Sequence, residues 1–288
     1  MFEGKDVKVI LANAGTGKTR RLIEEVSKEL EKRRPEEIAF VTFTRKGAEE
    51  GLRRVCSKLM YEPEDLPYFR TLHSLTFHAL NLKANQMFGR LDQRKFNKEY
   101  GYNVNRCEVD TGKVSASKDS QYLDFYDMER SGALTSKQLV EADIEQGYYK
   151  QIVKHYEEYK AREQKVDFFD CLIKYVENGE ALPVKVAMID EAQDITALQW
   201  RVIEKAFARA EKIIIAGDDK QSIYSYSGAR PDFLINLSKQ FPVEHLSMSY
   251  RIPYSVYKLS VAITNFIGEK TEQKAEPREE NGEGMIMQ

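Results

Sequence analysis

Short apolar runs alternate with helix-spaced apolar positions at both ends of the 288-residue chain. Val7, Val9, Ile10 and Leu11 form a compact run of the kind buried within a sheet, and Leu22, Val26 and Leu30 then recur at the spacing of one helix face. Ile38–Thr42, behind the turn at Pro35, predicts the next strand, and Ala48, Leu52, Val55 and Leu59 mark the helix after it. Residues 69–72 predict a short strand, with a helix beginning near Ser74. Much later, 184–189, 213–216 and 243–248 are apolar runs bounded by polar loops. A helical stretch follows each, the last over 254–267. Such alternation predicts an α/β fold, a parallel sheet covered by helices on both faces.

The middle of the chain breaks this rhythm. Residues 85–164 are polar and tyrosine-rich with few strand candidates, and Ile152, Tyr156 and Tyr159 line one side of a helix over 149–162. This stretch reads as a helical insertion. Residues 268–284, rich in Glu, Lys, Gly and Pro, read as a linker. The apolar Met285-Ile286-Met287 that follows reads either as the first strand of another domain or as a frayed tail.

Composition adds exclusions. With 31% charged and 42% hydrophobic residues, the chain has the make-up of a soluble globular protein. No apolar run approaches the roughly 20 residues that span a bilayer, and the N-terminus runs into a strand without a signal pattern. Cys56, Cys107 and Cys171 are isolated, which argues for a reducing cytoplasm and against a disulfide frame or zinc site. His73, His78, His155 and His245 show no metal-ligand clustering. A net charge of −2 gives no global attraction to nucleic acid. A local basic strip remains possible to build from Arg45, Lys46, Arg53, Arg54 and Lys58 in one predicted helix, although a solvated face is the usual fate of such runs.

The chemistry concentrates where apolar runs end. Leu11 to Arg20 reads as a phosphate-binding loop between strand and helix, although Ala12 stands where G-x-x-x-x-G-K-[ST] has glycine. Around Ala14 and Thr16, Gly15 and Gly17 let backbone N–H groups and a helix N-terminus converge on a phosphate. Lys18 is then placed for the β- and γ-phosphates of a nucleoside triphosphate, and the Thr19 hydroxyl for Mg²⁺. Asp190-Glu191 follow a buried run at the end of a parallel strand, where α/β sheets bind ligands. Asp190 suits the metal and Glu191 the attacking water. Gln221, after the run at 213–216, can donate to a γ-phosphate oxygen and accept from water. Tyr224 and Tyr226 are spaced so that both can stack on unpaired bases, worth about 1–3 kcal/mol per base; packing is the plainer role for either alone.

Taken in order, seven segments resemble the N-terminal portion of superfamily 1 DNA helicases of the UvrD/Rep/PcrA type. They are Ala12 to Arg20, Val41 to Ala48, Thr71 to Leu75, Asp167-Phe168-Phe169-Asp170, Ile189 to Asp194, Gly217 to Gly228 and Ser249-Tyr250-Arg251. In that family Ala is usual at position 12. The resemblance implies a RecA-like P-loop NTPase sheet over 1–84 and 165–267, a helical insertion subdomain over 85–164, and a linker with the start of a second RecA-like domain over 268–288. It implies ATP and Mg²⁺ as cofactors, with Arg20 and Tyr250 sandwiching the adenine by cation–π and stacking contacts. Arg251 would reach the γ-phosphate. Phe43, Thr44, Arg45, His73, Tyr224 and Tyr226 would line a single-stranded DNA path, with single-strand/duplex junctions as the wider partner. ATP-driven closure of two such domains would move the strand 3′ to 5′.

Departures from the family pattern also count. No glutamine-bearing adenine motif precedes the phosphate loop, and Tyr226 and Ser227 stand where Trp and Arg are usual. The second domain's arginine has no counterpart here, so this chain alone is expected to hydrolyse ATP slowly if at all. The competing readings are a non-motor ATP switch that binds DNA or protein, and the motor part of a helicase–nuclease. An RNA helicase fits the aromatic Gln221-Ser222-Ile223-Tyr224 loop less well.

Overall fold

The computed structural model describes residues 1–106, 117–135, 138, 144–222, 228–268, 270–272 and 275–285. In chain order the sheet domain begins with β1 (Asp6–Ala12), α1 (Lys18–Leu30), β2 (Ile38–Thr42), α2 (Arg45–Leu59), β3 (Phe69–Thr71) and α3 (Leu72–Ala79). The helices α4 (Arg90–Tyr100), α5 (Lys118–Ser131) and α6 (Gln146–Arg162) follow. The chain then runs through α7 (Phe168–Asn178), β4 (Val186–Ile189), α8 (Ala197–Ala206), β5 (Lys212–Gly217), α9 (Pro231–Gln240) and β6 (Val243–Leu246). It ends with β7 (Met248–Ser249), α10 (Tyr254–Thr264) and β8 (Glu276–Pro277).

Among the described residues, six strands form one parallel sheet in the order β3-β2-β4-β5-β1-β6. The continuous apolar runs are explained by burial on both faces. Val9, Leu11, Val41, Ile189, Ile213 and Ile215 face one helical layer, while Ile10, Phe40, Met188, Ile214 and Ala216 face the other. The period of two along each strand thus builds two cores from one sheet. All six C-terminal ends point to the same edge, and the described candidate residues at strand ends arrive there.

Local chemistry explains where the elements start. The Thr71 side chain accepts from Ser74 N at 3.3 Å, so α3 begins at Leu72 and not near Ser74. The apolar run at 243–248 divides: Val243–Leu246 pairs with β1, whereas Met248–Ser249 pairs with β8 in a separate two-stranded sheet. The break follows from two bonds to the phosphate loop, Ser249 Oγ to Ala14 O (2.8 Å) and Tyr250 N to Gly15 O (2.8 Å). The stretch with linker composition is partly anchored as well. Thr271 N donates to Asp219 Oδ2 at 2.8 Å, and Thr271 and Ala275 are buried.

The helices α4, α5 and α6 enclose an aromatic core of their own, including Phe96, Tyr102, Tyr122, Tyr149, Tyr156 and Tyr159. Its two ends meet in a short neck, where Phe88 N donates to Val166 O and Val166 N to Gln86 O, both at 2.8 Å. Among the described residues, no helix is long and apolar enough to cross a membrane.

Candidate functional site

At the end of β1 the chain turns through Asn13 to Gly17 into α1. Gly15 (φ +74°) and Gly17 (φ +84°) both adopt the left-handed region. Gly15 has a second reason to lack a side chain: a Cβ there would stand 2.6 Å from Arg251 Cβ and 2.9 Å from Ser249 Oγ. Thr16 is buried and donates its hydroxyl to Asn13 O at 2.8 Å. Asn13 Oδ1 is buried with no hydrogen-bond partner among the described residues.

Lys18 opens α1, and its ammonium pairs with the Glu191 carboxylate beyond β4. Next to it the Thr19 hydroxyl donates to Asp190 Oδ2 at 2.9 Å. The 171-residue separation between these partners is closed by the sheet, which places the end of β4 two strands from that of β1. Glu191 is held at φ 55°, a conformation that costs a non-glycine residue of order 1 kcal/mol or more. Its N–H donates to Asp190 Oδ1 at 2.9 Å, which ties the two acids into one unit.

Burial and charge act against each other here. Asp190 is 3% exposed, and burial pushes its carboxyl up to about 6 even though the Lys18 ammonium pulls it down. Burial would likewise raise Glu191 and lower Lys18, but their mutual attraction wins, holding the carboxyl low and the ammonium high. Asp194, buried near Glu191, is pushed up to about 7. Thr19 and Asp190 thus bring two hard oxygen donors together beside a permanent cation, a set that fits Mg²⁺ and phosphate.

One residue inside the matched segment has a larger role than its sequence position announces. Gln193, 2% exposed, donates Nε2 to Glu191 Oε2 (2.8 Å) and Asp194 Oδ2 (3.1 Å), and accepts Asp218 N on Oε1 (2.9 Å). Asp218 in turn receives the Gln221 amide. A single amide thereby links the end of β4 to the end of β5, where Gln221 lies exposed to solvent. The useful signal was its position two residues after an acid at a strand end.

The two residues expected to sandwich adenine are both exposed. Arg20 bonds Glu24 at 3.2 Å along its own helix, and the Arg278 guanidinium lies 5.6 Å from the Tyr250 ring centroid. Arg251 is exposed beside Gly15.

At the same sheet edge, the ends of β2 and β3 border a groove of about 580 Å³ lined by Arg45, Thr71, His73, Phe77, Met87 and Phe168, among others. His73 stands edge-on to Phe168, ring centroids 5.5 Å apart, and its buried Nε2 has no hydrogen-bond partner among the described residues. Burial drives its pKa down to about 4, so the ring is neutral at pH 7. Phe43 is half-buried, and Thr44 caps α2 by accepting Gly47 N at 3.1 Å. Arg53 and Arg54 both pair with Glu50 on the solvated face of α2, at 2.6 and 2.5 Å. Tyr224 and Tyr226 lie outside the described residues.

Fold and strand-end chemistry together define a RecA-like α/β protein with a phosphate-loop signature at the end of β1. The model of the UvrD/REP helicase N-terminal domain matches residues 3–242, and the chain belongs to that family. Among its relatives, the ATP-dependent DNA helicase PcrA of Leuconostoc citreum is 26% identical across 96% of this chain. The PcrA of Staphylococcus aureus is 24% identical across 84% of it. The chain spans 39% and 36% of those two proteins' lengths.

Proposed function

We propose that this chain is the nucleotide-binding half of an ATP-dependent DNA helicase or translocase, in which Mg-ATP hydrolysis drives 3′-to-5′ movement on single-stranded DNA. In this reading 1–84 and 165–267 form the first RecA-like domain, 85–164 its helical insertion, and 268–288 the passage to a second RecA-like domain. The protein works in the cytoplasm. The observation that carries the proposal is the meeting of Lys18, Thr19, Asp190 and Glu191 at one sheet edge that also bears the groove of Arg45, His73 and Phe168. One edge can then sense fuel and strand together.

Thr19 and Asp190 would hold Mg²⁺, and the ion supplies neutralisation of phosphate charge. The Lys18 ammonium is paired with Glu191. A triphosphate competes for the Lys18 ammonium, and the freed Glu191 carboxylate orients and deprotonates the attacking water. Gln221 contacts the γ-phosphate, and Arg251 stabilises the charge that develops there. Arg20 and Tyr250 close on the adenine. Phe43, Thr44, Arg45, His73, Tyr224 and Tyr226 follow the strand, whose bases stack without sequence preference.

Two titrations of the purified chain test this: a fluorescent ATP analogue with Mg²⁺, and a labelled oligothymidylate followed by anisotropy. Both ligands are expected to bind, and Lys18→Ala to abolish nucleotide binding while oligonucleotide affinity persists. A chain that binds neither, or a Lys18→Ala variant that binds nucleotide normally, refutes the reading.

A further inference from the structure

The densest set of buried charges outside the nucleotide end lies where the helical insertion meets the sheet domain. Asp167 and Asp170 cap α7 reciprocally: Asp167 Oδ1 accepts Asp170 N at 2.8 Å and Asp170 Oδ2 accepts Asp167 N at 2.9 Å. The capping box at the start of α7 is therefore closed by its own two acids. Yet both carboxylates are also gripped by two cations from the insertion. Arg130 of α5 reaches Asp167 at 2.8 Å and Asp170 at 3.0 Å. Lys160 of α6 reaches them at 2.8 and 2.6 Å, and Tyr156 donates to Asp167 at 3.1 Å.

These groups are deep. Lys160 is 2% exposed and Asp167 8%. Asp127 shares Arg130 Nη2 with Asp167 and also pairs with Arg106, while Glu157 holds Lys160 at 2.8 Å. The Arg130 guanidinium also lies 4.3 Å from the Tyr126 ring centroid. Glu157, Asp167 and Asp170 come close enough together to suit a metal ion, but the Lys160 ammonium already forms ion pairs with all three. Desolvating so many charges is not needed to cap α7, and it contributes little net stability against an apolar replacement. What it does supply is geometry.

The geometry bears on the groove. Phe168, directly after Asp167, is the residue whose ring meets His73 in the groove wall. The neck of the insertion contributes to the same wall, because Met87, bridged to Val166, lines it too.

We propose that Arg130 and Lys160 are positioning residues for the single-stranded DNA groove: from the insertion they clamp the first turn of α7 and hold Phe168 against His73 in the orientation on which a base stacks. The insertion thereby adjusts how tightly the sheet domain holds a strand, without touching the strand through these residues. This rests on the DNA-groove reading given above.

The test is anisotropy of a labelled oligothymidylate on the full chain carrying Lys160→Met, Arg130→Met, Phe168→Ala, and Phe168→Ala combined with each cation replacement. Each single replacement is expected to weaken binding about tenfold, the loss of roughly one stacked base. In the Phe168→Ala background the cation replacements are expected to add nothing, because they act through that ring. Affinity for the ATP analogue should stay within about twofold, as the nucleotide end lies on other strands. A folded Lys160→Met chain that binds the oligonucleotide normally, or losses that add to that of Phe168→Ala, overturns the clamp. If Lys160→Met does not fold, Asp170→Asn keeps a capping oxygen while removing the charge the cations hold. It is expected to weaken binding with the same non-additivity, and additive losses again overturn the proposal. An unaltered chain that ignores the oligonucleotide overturns the groove reading and this inference with it.

Discussion

Asp190→Asn should make the protein more stable in the absence of nucleotide, while removing the carboxylate proposed to hold Mg²⁺. The Asp190 carboxyl is 3% exposed, and burial raises its pKa from 3.8 to about 6. Between those values the folded chain holds a proton that the unfolded chain has released. Stability therefore falls as pH rises through this window and stays lower above it. A gap of about 2 pH units, at about 1.4 kcal/mol each, amounts to roughly 3 kcal/mol at pH 8. Asparagine keeps the shape: its carbonyl can accept Glu191 N, and its amide can donate to the Thr19 hydroxyl, which rotates to accept. A gain of about 2–3 kcal/mol corresponds to a midpoint rise of roughly 4–8 °C in a chain of this size. Thermal unfolding followed by circular dichroism at pH 8 and pH 4.5 measures it. At pH 4.5 the gain should shrink to about a third, because most of the native-state cost is then relieved by protonation. No gain at pH 8, or a gain undiminished in acid, would refute the reasoning. The cost carried by native Asp190 is what a bound cation offsets, so Mg²⁺ with nucleotide should stabilise the native chain more than the variant.

Three further outcomes follow from the same geometry. Glu191→Gln should leave nucleotide affinity unchanged but suppress hydrolysis by about 100-fold or more in a protein that carries the second domain, measured as single-turnover phosphate release; an unchanged rate removes Glu191 from the role of base. Gly15→Ala should lower stability by about 1–3 kcal/mol, since it combines a left-handed backbone with a Cβ pressed on Arg251, and weaken nucleotide binding; calorimetry of the folded variant checks both. Gln193→Met should strand the buried Asp218 N–H at a cost of about 1–3 kcal/mol and slow turnover without changing ADP affinity, because it cuts the link from Glu191 to the Gln221 loop. A fall in ADP affinity matching the fall in rate would contradict that link.

How far the chain could be read before folding depended on how local the governing interactions are. The runs at Val9 to Leu11 and 213–216 announced themselves because a strand segment buried on both faces must be apolar. The meeting of Lys18 and Thr19 with Asp190 and Glu191 was also foreseeable, since parallel strands deliver their ends to one edge. What escaped was set by partners distant in sequence. Ser249 and Tyr250 bend away from β6 because their bonds run to Ala14 and Gly15, at the opposite end of the chain. Thr271 sits in a stretch with linker composition and yet is anchored to Asp219, 52 residues earlier. The insertion misleads in another way. Its overall composition is polar, yet Tyr122 and Tyr149 join Tyr156 and Tyr159, the pair already visible on one side of a helix, in its core, with hydroxyls such as that of Tyr149 satisfied by acids at the rim. Lys160 recurs among ordinary surface charges along α6, and only its two partners beyond the helix mark it as buried. Periodicity registers which face of an element is greasy, whereas a buried ion cluster is written in three segments at once. Charged positions on the apolar side of an otherwise regular helix are therefore the places in this chain where folding, not pattern, decides what a residue does.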